Sequence, residues 1–183
     1  MISKILTPLI NKVRGEFSTD DLINDGLRVG KNFNRQEKVI IDPSHCYLIS
    51  IGDNVTFAPR VHVLAHDASL KKTLGYTKIG RVSFGDNVFI GAGSIILPNV
   101  KVGNNVIVAA GSVVTKDIED GFVVAGNPAK FINFTSDVTK RNQEKANATT
   151  VFDKKWKDAT PSREQRKQDM IKATKDGVAY IEV

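Results

Sequence analysis

Residues 84–118 read FGDNVFIGAGSIILPNVKVGNNVIVAAGSVVTKDI, and the spacing of their apolar positions decides the fold. Phe84, Ile90, Ile96, Val102, Val108 and Val114 fall on every sixth position without a slip. Two residues before each runs a second set, Val82, Val88, Ser94, Val100, Val106 and Ser112, with Ile118 following. A period of six belongs to neither an α-helix nor a hairpin sheet. It is the mark of a parallel β-helix, whose strands wind in successive coils. Three hexads make one triangular coil, so residues 18 apart stack one strand spacing apart, roughly 4.8 Å. The alternative, a Gly-rich β-sandwich with accidental spacing, does not account for six anchors in a row.

The residue types agree with the period. Gly85-Asp86-Asn87 and Gly103-Asn104-Asn105 are 18 apart and therefore share one corner, where Gly, Asp and Asn tolerate the backbone angles of a turn. Ser94 stacks on Ser112, and Ala92 on Ala110. The same period extends backwards through Ile51, Phe57 and Val63, with Gly52-Asp53-Asn54 lying 33 residues before Gly85. That gap exceeds one coil by fifteen residues. The frame breaks between Ala65 and Ile79, so a loop at 66–78 is thrown out from one corner. Loops on rigid scaffolds are where sites concentrate.

With 183 residues the chain has room for one domain with appendages. It carries 26 basic and 20 acidic residues, a modest and dispersed excess. A patch for an anionic coenzyme phosphate fits that balance, whereas no nucleic-acid groove is indicated. The single Cys46 excludes an internal disulfide framework and suits a reducing cytoplasm. No apolar run is long enough to span a bilayer, and the first residues lack the features of a signal peptide. A cytoplasmic protein is the expectation.

Residues 1–26 are expected to form a helical cap, because Ile2, Ile5, Leu6, Leu9, Ile10 and Val13 have helical spacing. Residues 27–133 form the β-helix. Residues 134–183 form a polar extension: a connector to residue 160, then a helix from Ser162 with Gln165 in the reciprocal capping position. Val178–Val183 alternates, and is expected to add a strand to a neighbouring edge or subunit.

Three segments carry a family resemblance: Ile-Gly-Ala-Gly-Ser at 90–94, Ala-Ala-Gly-Ser-Val-Val-Thr-Lys-Asp-Ile at 109–118, and Val-Ala-Gly-Asn-Pro-Ala-Lys at 124–130. They resemble the hexapeptide-repeat acyltransferases with a left-handed parallel β-helix, in particular the galactoside, maltose and capsule-sugar O-acetyltransferases. The resemblance covers roughly residues 50–132. It implies transfer of acetyl from acetyl-CoA, as co-substrate, to a hydroxyl of a sugar or cell-surface polysaccharide precursor. It also implies a homotrimer with active sites between subunits, and no metal.

Such a transfer needs a base for the hydroxyl proton, donors for the tetrahedral oxyanion, and a groove for the coenzyme. Imidazole titrates near working pH and suits the first task. His66 lies where the coil gives way to the loop, and matches the family's catalytic histidine. A loop histidine that only bonds Asp67 or a turn amide is the competing reading. The resemblance places the thioester near Ala92, pantetheine past Ala110, and the nucleotide end near Thr115, Lys116 and Lys130. Corner packing and solvated lysines explain the same residue types without a ligand. Asn133 stands where the galactoside enzymes have a basic residue. His45 and Asp42 are candidate acceptor ligands, a weaker expectation than a structural role. Cys46 reads as a buried small hydrophobe rather than a nucleophile.

Other functions remain open at this point. The acceptor can be an antibiotic hydroxyl, as in xenobiotic acetyltransferases. Three histidines, His45, His62 and His66, are the number that a zinc hydratase on this fold requires. A trimeric scaffold without catalysis is the third.

Overall fold

A computed structural model describes residues 17–160 and 162–182. The helix expected at 2–13 lies outside the described residues. The chain divides into two compact units, one ending at Thr135 and the other beginning at Ser136.

The first unit is a three-sided parallel coil. One face stacks Arg28–Val29, Ile49–Ile51, Val82–Phe84 and Val100–Val102. The second stacks Asn34–Arg35, Thr56–Phe57, Phe89–Ile90, Ile107–Val108 and Phe122–Ala125; the third stacks Ile40–Ile41, His62–Val63, Ile95–Ile96 and Val113–Val114. The last strand of the second face is joined antiparallel by Lys130–Phe134, after a cis Asn127–Pro128 bond. Inside run Phe57, Ile90 and Val108 in direct register, with Val63, Ile96 and Val114 on the next face, all at most 1% exposed. Both sets of the six-residue period point inward, the serines included. Ser112 Oγ donates to Ala109 O at 2.6 Å and Ser94 Oγ donates to the same carbonyl at 3.0 Å, so two fully buried hydroxyls are satisfied.

The Gly-Asp-Asn corner explains itself residue by residue. A Cβ on Gly85 would lie 2.5 Å from Asn104 Oδ1 of the next coil, so the close approach demands glycine. The second residue bonds across coils: its Oδ1 accepts the amide one coil back, as Asp53 does from Lys31 (2.7 Å), Asp86 from Asp53 (2.7 Å), Asn104 from Asp86 (2.8 Å) and Asp120 from Asn104 (2.8 Å). The third residue turns with positive φ, at Asn32, Asn54, Asn87 and Asn105. Their side-chain amides form a ladder of 2.9, 3.2 and 3.2 Å.

Register exposes where the coil departs from its period. On the first face Arg28 lies opposite Ser50, Ser50 opposite Ser83, and Ser83 opposite Lys101, offsets of 22, 33 and 18. The 33 is the loop expected from the sequence. It forms an arm in which His66–Asp67 pairs antiparallel with Lys78–Ile79, with a short helix at Lys71–Leu74 between. The 22 marks a second, four-residue insertion that the irregular early period concealed. It is accommodated between Ile41 and Ile49, and contains a 3-10 turn at Cys46–Leu48. Both insertions leave the coil between the third face and the first.

A helix at Thr19–Asn24 precedes the coil and buries Leu22. The N-cap Ser18 accepts from Asp21 N, and Asp21 reaches back to Ser18 N, a reciprocal cap that Ser-x-x-Asp announces. In the second unit the expected polar connector is mostly a 14-residue helix, Thr135–Ala148, with no buried residue. The helix from Ser162 is present as Arg163–Ala173, with Ser162 as its N-cap. The C-terminal strand pairs within this unit: Val151–Phe152 lies parallel to Tyr180–Ile181. Phe152 stacks on Trp156 (ring centroids 4.5 Å), and Trp156 Nε1 donates to Asp169 at 3.1 Å.

Two outcomes follow from this packing. Ile90→Ala removes a fully buried side chain from the middle of the coil, and should lower unfolding free energy by about 3 kcal/mol in urea titrations. Hydrogen bonds from the side chain and backbone of Asn104 hold Asp120 below the ordinary carboxylate value of 3.8. A carboxylate with a depressed folded pKa adds stability above its unfolded value, and loses it as pH falls through the folded one. Asn at this position can still accept the Asn104 amide, as Asn104 itself does one coil back. The stability gap between wild type and Asp120→Asn should therefore be largest near neutrality and shrink below pH 3.8, measured as denaturation midpoints across that range.

Candidate functional site

The two insertions meet. Asp42 begins the first, and His66 begins the second one coil later. Stacking of the third face, Ile40 on His62 and Ile41 on Val63, brings them into contact. His66 Nδ1 lies 2.5 Å from Asp42 Oδ2. A carboxylate only accepts, so Nδ1 is the donor of this bond, and in the neutral ring Nε2 is the acceptor nitrogen. The Asp42 side chain has no exposed surface, while that of His66 is 35% exposed. Two amides complete the carboxylate: Ala65 N donates to Oδ2 at 3.0 Å and Ser44 N to Oδ1 at 3.1 Å. These bonds compensate the burial of a charged group. The expectation that Asp42 touches an acceptor is thereby corrected. Its oxygens are engaged by His66, Ala65 and Ser44, and no carboxylate surface is left for a ligand.

His45 joins them from the first insertion. Its ring centroid is 5.0 Å from that of His66, and its Nδ1 is 3.8 Å from Asp42 Oδ1, beyond hydrogen-bond reach. That nitrogen is buried without a partner, although the side chain as a whole is 24% exposed. Donor atoms of Asp42, His45 and His66 all lie within 4.8 Å of one another. His62 does not belong to this group, because its Nδ1 faces Arg60 O at 3.0 Å. The three histidines of a zinc-hydratase reading therefore do not converge within the chain. Asp67 is not the partner of His66 either. Ser69 N donates to it at 2.9 Å, a bond that leads the effects holding its carboxyl below the ordinary range. Cys46 is buried, with Sγ 3.5 Å from the carbonyls of Leu22 and Asp25, and burial pushes its thiol pKa up, the opposite of nucleophile activation.

The residues expected along a coenzyme lie on two different edges of the coil. Thr115 and Lys116 follow Val113–Val114 on the third face, and so share the edge of His66. Ala92 and Ala110 lie between the second and third faces, stacked by the bond from Gly111 N to Ala92 O at 2.8 Å. Lys130 opens the antiparallel strand at the end of the coil. None of these five side chains is buried. A single chain does not bring the two edges together. Spacing found His66 through the break in period. The Asp42 pairing carried no such signal, because the first insertion interrupts a degenerate part of the repeat.

Residues 81–116 match the family model described as bacterial transferase hexapeptide (six repeats). Protein CapG of Staphylococcus aureus is 50% identical over 93 residues, covering 49% of this chain and 54% of its own. The putative acetyltransferase YvoF of Bacillus subtilis is 35% identical, with 66% of this chain and 67% of the relative covered. A galactoside acetyltransferase in complex with coenzyme A superposes with a TM-score of 0.56 at 32% identity, covering 63% of this chain and 58% of that one. The chain thus spans about half the length of CapG and two thirds of YvoF. Among the described residues, no helix is long and apolar enough to cross a membrane. By its period, its stacked parallel sheets and these relatives, the chain belongs to the hexapeptide-repeat transferase family.

Proposed function

We propose that this protein is an O-acetyltransferase that moves acetyl from acetyl-CoA to a hydroxyl of a sugar or cell-surface polysaccharide precursor, with His66 as general base. The observation that carries the reading is the bond between His66 Nδ1 and the buried Asp42 carboxylate. It leaves Nε2 on the exposed side of the ring as a proton acceptor. The relatives supply the reaction type, since acetyltransferases recur among them.

Nε2 of His66 takes the proton of the acceptor hydroxyl while its oxygen attacks the thioester carbonyl. Backbone amides at the coil corners donate to the resulting oxyanion. As the tetrahedral centre collapses, the carbon–sulfur bond breaks and the imidazolium returns its proton to the departing thiolate. The products are an O-acetyl ester and free coenzyme A, and His66 is neutral again. Asp42 acts as a positioning residue that holds one tautomer and stabilises the transient imidazolium. His45, beside His66 and partly exposed, is assigned to the acceptor. None of these steps calls for a metal.

Ala92 and Ala110 are assigned to the pantetheine arm, and Thr115, Lys116 and Lys130 to the nucleotide end, where cations meet phosphate. The separation of these residues between two edges supports a homotrimer in which each groove is built by two subunits, and the hexapeptide-repeat relatives support a left-handed winding of the coil. A cytoplasmic location suits both the coenzyme and the lone thiol of Cys46.

His66→Ala should remain a trimer by analytical ultracentrifugation and keep its thermal stabilisation by coenzyme A. It should lose about 100-fold or more in thiol release from acetyl-CoA, assayed against sugars, nucleotide sugars and antibiotics. Near-normal turnover would remove His66 from the mechanism. In Asp42→Asn an amide N–H faces Nδ1, which favours the tautomer protonated at Nε2. Turnover should fall by about 10²–10⁴-fold with KM for acetyl-CoA little changed.

A further inference from the structure

Among the described residues, seven non-glycine positions have positive φ, and five of them are asparagine, which tolerates that conformation. The other two are Lys38 (φ 58°) and Arg60 (φ 63°). They occupy successive coils on the edge that carries Ala92 and Ala110, linked by the bonds from Arg60 N to Glu37 O (3.1 Å) and from Gly93 N to Pro59 O (2.9 Å). Farther along this edge the same turn position is glycine, at Gly93 (φ 70°) and Gly111 (φ 71°). Glycine or asparagine would make the turn with less strain. What Lys and Arg add is charge.

The charge faces a cleft of about 330 Å³ lined by Glu37, Lys38, Pro59, Arg60, Ala92 and Gly93. Both basic side chains are exposed, and among the described residues neither belongs to an ion pair. Glu37 is the one opposing charge in the lining, which leaves the cleft net positive. The acetyl-transfer reading assigns the coenzyme arm to Ala110 and then Ala92, so its acyl end stops at the mouth of this cleft. The pantetheine holds one side, and an acceptor enters from the other, past Arg60 and Lys38. Arg60 belongs to the coil that ends in His66, and Lys38 to the coil that ends in Asp42 and His45. Charge and base therefore sit at equal heights along the coil but on different edges, and it is the homotrimer of the acetyl-transfer reading that would bring one subunit's cleft against another's base.

From this arrangement we infer that the acceptor carries an anionic group, a carboxylate or a phosphate, close to the hydroxyl that is acetylated, and that Lys38 and Arg60 bind it. The guanidinium offers a planar fork and the ammonium a mobile point charge, a pairing suited to either anion. This inference rests on the acetyl-transfer reading and narrows its substrate class.

The test uses the double variant Lys38→Gly and Arg60→Gly, in which both turns become glycine like those at Gly93 and Gly111. Thermal unfolding should match or exceed the wild type, and stabilisation by coenzyme A should be retained. Thiol release from acetyl-CoA is then compared for glucose, glucuronic acid and glucose 1-phosphate. The wild type should favour at least one charged acceptor over glucose, and the two charged arms separate carboxylate from phosphate. In the variant, KM for that acceptor should rise about 10-fold or more with kcat nearly unchanged, and activity on glucose should stay the same. Equal wild-type turnover of glucose and both charged sugars, unaffected by the substitutions, overturns the anion subsite while acetyl transfer stands. Loss of coenzyme stabilisation in the variant gives the basic pair to the coenzyme, and also overturns it. Absence of thiol release from every acceptor counts against the underlying reading, and the inference falls with it.

Discussion

Each coil of this protein is held to the one before it by a side-chain oxygen that accepts a backbone amide at a corner. Asp53, Asp86, Asn104 and Asp120 make that bond in succession. The bond satisfies amides that a turn would otherwise leave open, and it sets the spacing that the parallel strands then follow. It also forces the neighbouring residue to be glycine, because the incoming oxygen takes the space of a Cβ. The apolar interior depends on the same constraint. Phe57, Ile90 and Val108 stack only if successive corners stay in register.

A scaffold so regular confines its extra residues to one edge of the coil, where, among the described residues, only the last turn makes such a corner bond, from Lys101 N to Asp117 Oδ1 at 2.8 Å. Both insertions leave from the edge between the third and first faces, and that edge carries the polar chemistry. The asymmetry has an energetic side. Asp42 is a buried charge, tolerable only because His66, Ala65 N and Ser44 N engage its oxygens. The regular faces bury no charged residue among those described, only hydroxyls that reach a carbonyl within the coil.

The coil, its stacked serines, its turning asparagines and the loop after Ala65 were all legible in the sequence, since each shows in a period or its interruption. The helix at Thr19–Asn24 carried a readable cap at Ser18 and Asp21 that spacing alone did not single out. The polar segment after Phe134 reads as a connector because its residues lack an apolar face, yet much of it is helical with no buried side chain. Asp42 was legible as a candidate and misread in role. Its partner lies 24 residues away, across an insertion that no period registers.

By itself the sequence determined the fold class, because six-residue spacing can bury its apolar set in only one way, by winding into stacked coils. It determined His66 as the residue to watch, because a strict period makes its own failure visible. Tertiary structure alone decided that Asp42 is buried against His66 with no carboxylate surface left over, and that His62 stands apart. Those facts depend on which corner each residue occupies and on what the neighbouring coil presents there. Both are set by stacking across offsets of 22 and 33 residues, which a local pattern does not encode.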